Sequence, residues 1–448
     1  MPYSSRIAIA TSLPHRLFIP LLLSASLLLA TACGKAPEPR VAATVDADNI
    51  ARQYMQLVLA LGEHDSNYVD AYYGPAQLRD EAIALELSAG QIAAQAKNLL
   101  QKIDTQPVSD NDMQKLRLHY LDKQLQAVAF HADSLSRGNK ANFEAQAQAL
   151  YDTTPPNYSL SDFDEVLAGI AELVPGEGSL TERVVAYRKN FVIPADKLDA
   201  VFQRAISECR QRTAAYISLP EHEDFSLEYV QDKPWSGYNW YKGKAYSLIQ
   251  INSERPIDIS RAVDLGCHEG YPGHHTYNAL LEQTLVNQLG WQEFSVYPLY
   301  SPQSLIAEGS ANYGIELAFP GEQKLQFERD VLYPLAGLNP ATAAEYAAFL
   351  TLMARLSYAG NEIARQYLNG DIDGERAVVL LQQYSLNSEA EARQRLRFFD
   401  SYGAYVINYN WGKELVKQYV EQTDDQNERW ARFIRLLSSP RIPSSLDW

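Results

Sequence analysis

Positive charge, cysteine and histidine are all scarce in this sequence. Lysine and arginine number 39 against 55 aspartates and glutamates, a formal net charge of −16. So acidic a body lacks the basic footprint that nucleic-acid binding requires, which excludes nucleic acid as a partner. With Cys33 set aside in the leader, the remaining two of the three cysteines, Cys209 and Cys267, allow at most one internal pair. Long hydrophobic runs are missing too: Leu17 to Ala30 is too short and wrongly flanked for an ordinary transmembrane helix. No internal repeat and no low-complexity tract lies beyond the leader. Apolar residues at 46% and charged residues at 21% are ordinary globular values, which excludes wholesale disorder. A chain of 448 residues can bury a substantial core. Tyrosine, by contrast, is abundant, at 28 residues.

The short apolar run reads as an export signal. Arg6 and Arg16 give it a basic start free of acids, and Ala30-Thr31-Ala32-Cys33 resembles the sequence at which bacterial lipoproteins are cleaved and lipidated. Residues 1–32 are then a lipoprotein signal peptide, Cys33 is the lipidated residue, and 33–46 is a Pro-rich tether. Gly34, where Asp would favour inner-membrane retention, points to an outer-membrane anchor facing the periplasm. A plain signal peptide that ends near a cysteine is the other reading. Loss of Arg6 and Arg16 takes the charge from −16 to −18. Connectivity cannot be read from sequence, and Cys209 and Cys267 are expected as two unpaired buried thiols.

Residues 47–448 read as one domain. Ile50, Tyr54, Leu57, Val58 and Leu61 recur at helical spacing. A polar, aromatic turn at 63–75 interrupts the pattern, which resumes at 76, through 113–135, at 161–173 and along 181–216. Alternation and β-branched residues predict two strands, 225–230 and Tyr246–Asn252, joined by a turn-rich loop at 235–243. Helices follow to Gly290 and over 303–318, 340–368, 373–384, 388–420 and 427–437. The expected fold is mainly α with one small sheet near 225–252, a two-lobed unit around a cleft.

Three of the eight histidines fall in His268-Glu269-Gly270-Tyr271-Pro272-Gly273-His274-His275. In the zinc-peptidase pattern HExxH, two histidines four apart share one helix face and one zinc, with the glutamate as general base for the attacking water. Here Pro272 occupies the fourth position. In a straight helix His274 would point about 120° away from His268, and His275 would lie about 10 Å along the axis. The helix must therefore break between the ligands. Pro272 disfavours helix at Tyr271, and Gly273 opens conformations closed to other residues. Downstream, 305–317 reads as a helix carrying Glu308 among the small residues Gly309, Ser310 and Ala311, which would let it pack tightly against the motif helix. Glu308 completes a His/His/Glu set with one open position. Asn312 and Glu316, one and two turns on, share its face and could orient a ligand histidine. For Glu316 a solvated or helix-packing carboxylate is the equal alternative.

His268-Glu269-x-x-Pro272-Gly273-His274-His275, followed by Glu308-Gly309-x-Ala311-x-Tyr313-x-x-Glu316, resembles the bacterial domain-of-unknown-function family numbered 885, which contains many lipoproteins and is similar to gluzincin peptidases of largely helical fold. The resemblance runs from about residue 50 to the C-terminus. It implies His268, His274 and Glu308 as zinc ligands and Glu269 as base; His274, the first histidine after Pro-Gly, is preferred to His275, which is then placed in the shell around them, and the spacing itself leaves open which of the two turns inward. Many members carry Gln and Trp where this chain has Tyr277 and Ser310. A Tyr-x-x-Gly element of the family matches Tyr409 to Gly412, which makes Tyr409, then Tyr405, the candidate stabiliser of the oxyanion. A tyrosine stripe packing a helix is the bland reading of both.

Arg395 and Arg397 could hold a substrate carboxylate, or could be a solvated basic helix end. The strand Tyr246–Asn252, as an edge, could pair with extended peptide, with Ser236, Tyr238, Asn239 and Tyr246 against it. The expected activity is that of a zinc metallopeptidase of carboxypeptidase or oligopeptidase type, acting on peptides outside the cytoplasm and touching the membrane only through Cys33. The rivals are a non-catalytic lipoprotein scaffold and a zinc hydrolase of another amide or ester, such as cell-wall peptide.

Overall fold

In the computed structural model, residues 47–106, 109–138, 141–233 and 235–448 are described. The signal peptide, Cys33 and the tether lie outside them. The described chain belongs to one compact unit. It is mainly α, with two small sheets. Among the described residues no helix is long and apolar enough to cross a membrane.

Helix Ala47–Gly62 buries Ile50, Tyr54, Leu57, Val58 and Leu61, the face its periodicity predicts. The polar turn after it contains a strand that its composition hides: β1, Val69–Tyr72, pairs antiparallel with β5, Val296–Pro298. Three predicted long helices are broken. The 181–216 stretch divides into Leu180–Arg188 and Leu198–Ala214, with Pro194 between them and Val192 bridged to Asp258. The 340–368 stretch divides at Leu356. The 388–420 stretch becomes Glu389–Tyr402 and Ile407–Val420, parted at Gly403, whose φ of +56° continues no right-handed helix.

The sheet near 225–252 has three strands, not two. They are β2, Asp224–Val230, β3, Gly237–Tyr241, and β4, Tyr246–Asn252. Their order is β2-β4-β3, with β4 parallel to β2 and antiparallel to β3. The expected edge strand Tyr246–Asn252 is therefore the centre of the sheet. The segment read as a loop supplies an edge, β3.

Two contacts hold the functional elements in place. Cys209 of helix Leu198–Ala214 and Cys267 of helix Ser260–Glu269 are disulfide-bonded, with Cα atoms 5.5 Å apart, which corrects the expectation of free thiols. Helix Pro302–Ala318 crosses helix Ile407–Val420 with almost no space between their backbones. A Cβ on Gly309 would lie 2.4 Å from the Gly412 carbonyl carbon, and one on Gly412 would lie 2.7 Å from the Leu305 oxygen. Gly309, next to Glu308, thus serves this crossing, while the same helix also packs against the motif helix Ser260–Glu269, as expected. The turn at Pro272 is met by Gly314, where a Cβ would lie 2.7 Å from Pro272 Cγ.

Candidate metal centre

The histidine motif is a helix, a turn and a second helix. Helix Ser260–Glu269 stops at Gly270, the Tyr271–Pro272 peptide is cis, and helix His274–Leu281 starts again at once. The break expected from Pro272 and Gly273 is present, but Gly273 acts differently from the expectation. Its φ is −78°, open to any residue. What it supplies is space, since a Cβ there would lie 1.8 Å from the His268 carbonyl oxygen. The turn folds back onto the end of the first helix so closely that only hydrogen fits.

That return brings His268 and His274 together, with their Nε2 atoms 3.1 Å apart. Glu308 Oε2 lies 3.1 Å from His268 Nε2 and 3.7 Å from His274 Nε2. Glu269 is buried beside them, and ligand atoms of His268, Glu269 and His274 all lie within 4.8 Å of one another. Two of the three candidate ligands are oriented from behind. Asn312 Nδ2 donates to the Tyr409 carbonyl oxygen at 3.1 Å, which turns its Oδ1 toward His268 Nδ1 at 3.2 Å. His268 then carries its proton on Nδ1 and presents a lone pair at Nε2. Tyr405 donates to Glu308 Oε1 at 2.8 Å. Glu308 Oε2, although buried, accepts no hydrogen bond.

A divalent cation fits this set. Two imidazole nitrogens and one unsatisfied carboxylate oxygen face a common point, the donor set of a three-ligand zinc site. The surrounding charge is acidic, which favours a cation there, whether a proton on His274 or a metal ion that displaces it. Burial alone would raise the Glu308 carboxyl, but the histidines outweigh it and hold it well below the usual carboxylate range. Burial would likewise lower His274, yet Glu308, Glu269 and Asp70 lift it to about 9. Burial pushes Glu269 up, against the pull of the two histidines. A carboxyl raised by burial is a stronger base than an ordinary one, which suits it to taking a proton.

His275 points the other way. It is fully buried, with Nδ1 2.8 Å from Ser247 Oγ on β4 and Nε2 3.1 Å from Glu223 Oε2. Glu223 also accepts from Arg210 Nε at 2.9 Å and from the Tyr271 hydroxyl. His275 is thus no neighbour of the ligands but an anchor for the turn that presents His274. Glu223, just before β2, has no signal in the sequence that would have marked it.

The remaining candidates divide. Glu316 is a helix-packing carboxylate, paired with Lys413 and with Lys417 at 3.1 Å, and not part of the ligand shell. Asn239 Nδ2 donates to the Glu269 carbonyl oxygen at 2.6 Å, and Gly237 backs onto Glu269, where a Cβ would lie 2.9 Å from Oε1. Thus β3 runs beside the general-base candidate. Tyr238 donates to Asp70. Tyr246 is away from the centre, exposed and bonded to Ser226, because it begins β4 rather than an edge. Tyr409 is 40% exposed although its ring lies 5.8 Å from that of Tyr405. Its hydroxyl has no protein partner among the described residues, whereas that of Tyr405 is committed to Glu308. Sequence reasoning missed Asp70 altogether. It stands on β1 in the polar turn, and burial, reinforced by Glu308 and Glu269 against the pull of His274, pushes it up to about 7.

No family model matches the chain, and no curated protein matches it. Among solved structures, "The crystal structure of the putative lipoprotein from Colwellia psychrerythraea" aligns at 14% identity and a TM-score of 0.47, covering 83% of this chain and 70% of the other. "BsuCP Crystal Structure" aligns at 13% identity and a TM-score of 0.35, covering 88% and 89%. Both likenesses are too distant to carry an argument, and the functional reading rests on the centre itself.

Proposed function

We propose that this chain is a zinc metallopeptidase, hydrolysing peptide bonds outside the cytoplasm and tethered at Cys33 to a membrane, the outer membrane facing the periplasm. The observation that carries the reading is the convergence of His268 Nε2, His274 Nε2 and the unsatisfied Glu308 Oε2 beside buried Glu269. His268, His274 and Glu308 would hold the zinc, which when bound supplies a Lewis acid that polarises the scissile carbonyl.

The protein's own groups do the rest. Glu269 takes a proton from the attacking water and returns it to the leaving amine, a task its raised basicity supports. Tyr409 presents an uncommitted hydroxyl, protonated at neutral pH as an ordinary tyrosine is, to the developing oxyanion. Tyr405 holds Glu308 in place, which leaves the oxyanion role to Tyr409. An extended peptide would lie along the edge strand β3, beside Gly237 and Asn239.

The test is metal analysis with peptide-library cleavage for the wild type and Glu269→Gln. One zinc per chain, with cleavage lost in Glu269→Gln and zinc retained, is the expected result. Failure to hold any divalent metal after reconstitution would overturn it.

A further inference from the structure

We propose that Arg395 is an anchor for the free α-carboxylate of a peptide substrate, so that the enzyme releases residues from C-termini; this rests on the peptidase reading above. Arg395 lies on helix Glu389–Tyr402, three residues before Phe398 and four before Phe399, on neighbouring positions of one helix face. Phe398 has its ring 6.4 Å from both Tyr405 and Tyr409, so this face is turned toward the two tyrosines of the metal centre. The guanidinium carbon sits 5.8 Å from the Phe399 ring, and Nη2 lies over Gly360, where a Cβ would come within 2.8 Å.

Nothing in the described protein neutralises this cation. No carboxylate lies within 4.0 Å of it, although its neighbour Arg393 pairs with Glu375 and Glu389. Its Nε is buried and has no acceptor. Burial lowers its affinity for a proton, and the group that acts against this is Tyr409, which also senses Glu308 and Glu269. An unpaired, desolvated guanidinium is costly to maintain and gains most from an anion that arrives from outside. A carboxylate matches its fork geometry in a two-bond contact. Tyr409 would then stand between the scissile carbonyl and the terminal carboxylate, in reach of both.

The test uses the zinc-loaded protein and matched peptides with a free or an amidated C-terminus. We expect amidation to lower kcat/KM about 100-fold in the wild type, the loss typical of unpairing a buried charge. Arg395→Gln should lower the free-acid value by a similar factor, mainly through KM, and lower the amide value far less. Arg395→Lys should recover part of the loss. Calorimetry on Glu269→Gln with an N-acetyl amino acid and its amide gives a readout independent of turnover, with tighter binding of the acid that disappears when Arg395→Gln is added. Equal cleavage and equal binding of acid and amide by the wild type would overturn the proposal, even if Arg395→Gln failed to fold. If no peptide is cleaved but the acid binds through Arg395, the peptidase reading falls and the carboxylate site stands.

Discussion

The two adjacent histidines give the sharpest test of the centre. His275→Ala removes a fully buried ring with two hydrogen bonds, one to the Glu223 carboxylate and one to Ser247. A bond to a charged group is worth about 1.5–3 kcal/mol and a neutral one about 1 kcal/mol. Glu223 keeps Arg210 and Tyr271, so the loss stays below that of a fully broken buried pair. We expect a destabilisation of about 2.5–4 kcal/mol. Unfolding entropy of about 2.1 cal/mol/K per residue makes that roughly 3–5 °C in Tm for a unit of this size. His274→Ala removes a ligand instead. The assay is thermal unfolding with chelator and with zinc, paired with metal analysis. His275→Ala should melt lower in chelator yet keep a zinc-induced rise, which is about 2.7 kcal/mol at a hundredfold excess over Kd. His274→Ala should lose the rise and the bound zinc. If His275→Ala lost zinc with its chelator Tm unchanged, the inward-facing histidine would be His275 and the geometry argued above would be wrong.

Other outcomes follow from the same contacts. Tyr409→Phe should lower kcat about 100-fold while zinc content is unchanged, whereas Tyr405→Phe should weaken zinc binding about 10–100-fold by releasing Glu308; steady-state kinetics and zinc titration separate the two. Glu223 is a carboxylate whose hydrogen bonds from His275, Tyr271 and Arg210 outweigh burial and depress it in the folded state. Its contribution is therefore full above the ordinary glutamate value of about 4.3 and is lost as pH falls through the depressed one. Denaturant curves should show the stability gap between wild type and Glu223→Gln constant from pH 8 to about 5 and shrinking below that; a gap that widened in acid would contradict the assignment. Replacing Cys209 and Cys267 together by serine opens a link spanning 58 residues. Loop entropy alone makes that about 4 kcal/mol, with the first loosening expected in helix Ser260–Glu269 by hydrogen exchange.

Much of the centre could be read in order along the chain, because metal chemistry restricts residue types. His268, Glu269, His274 and Glu308 were identifiable from spacing and resemblance, and Pro272 with Gly273 announced the break. The long helical stretches were legible in pattern but not in their breaks. Periodicity persists across Leu356 and Gly403 when the flanking segments bury similar faces. The strand β3 was hidden because its Gly, Tyr, Asn and Trp residues are also turn formers, and pairing with β4 decides between the two.

What the sequence determined by itself is local: helix faces, the interruption of the motif, and a set of ligand types. What only the tertiary structure decided is direction and partnership. Whether His274 or His275 turns toward His268 and Glu308 depends on Glu223 and Ser247, which lie in distant segments and form a buried pair of hydrogen-bond partners for one ring only. Tyr405 and Tyr409 share one stretch of sequence, yet buried Tyr405 orients Glu308 while the more exposed Tyr409 keeps a free hydroxyl. Asp70 and Arg395 bear charges that any surface residue could carry, and only their burial near the centre gives those charges meaning. Sequence spacing encodes which groups can share a helix face; close packing between distant segments decides which of them meet.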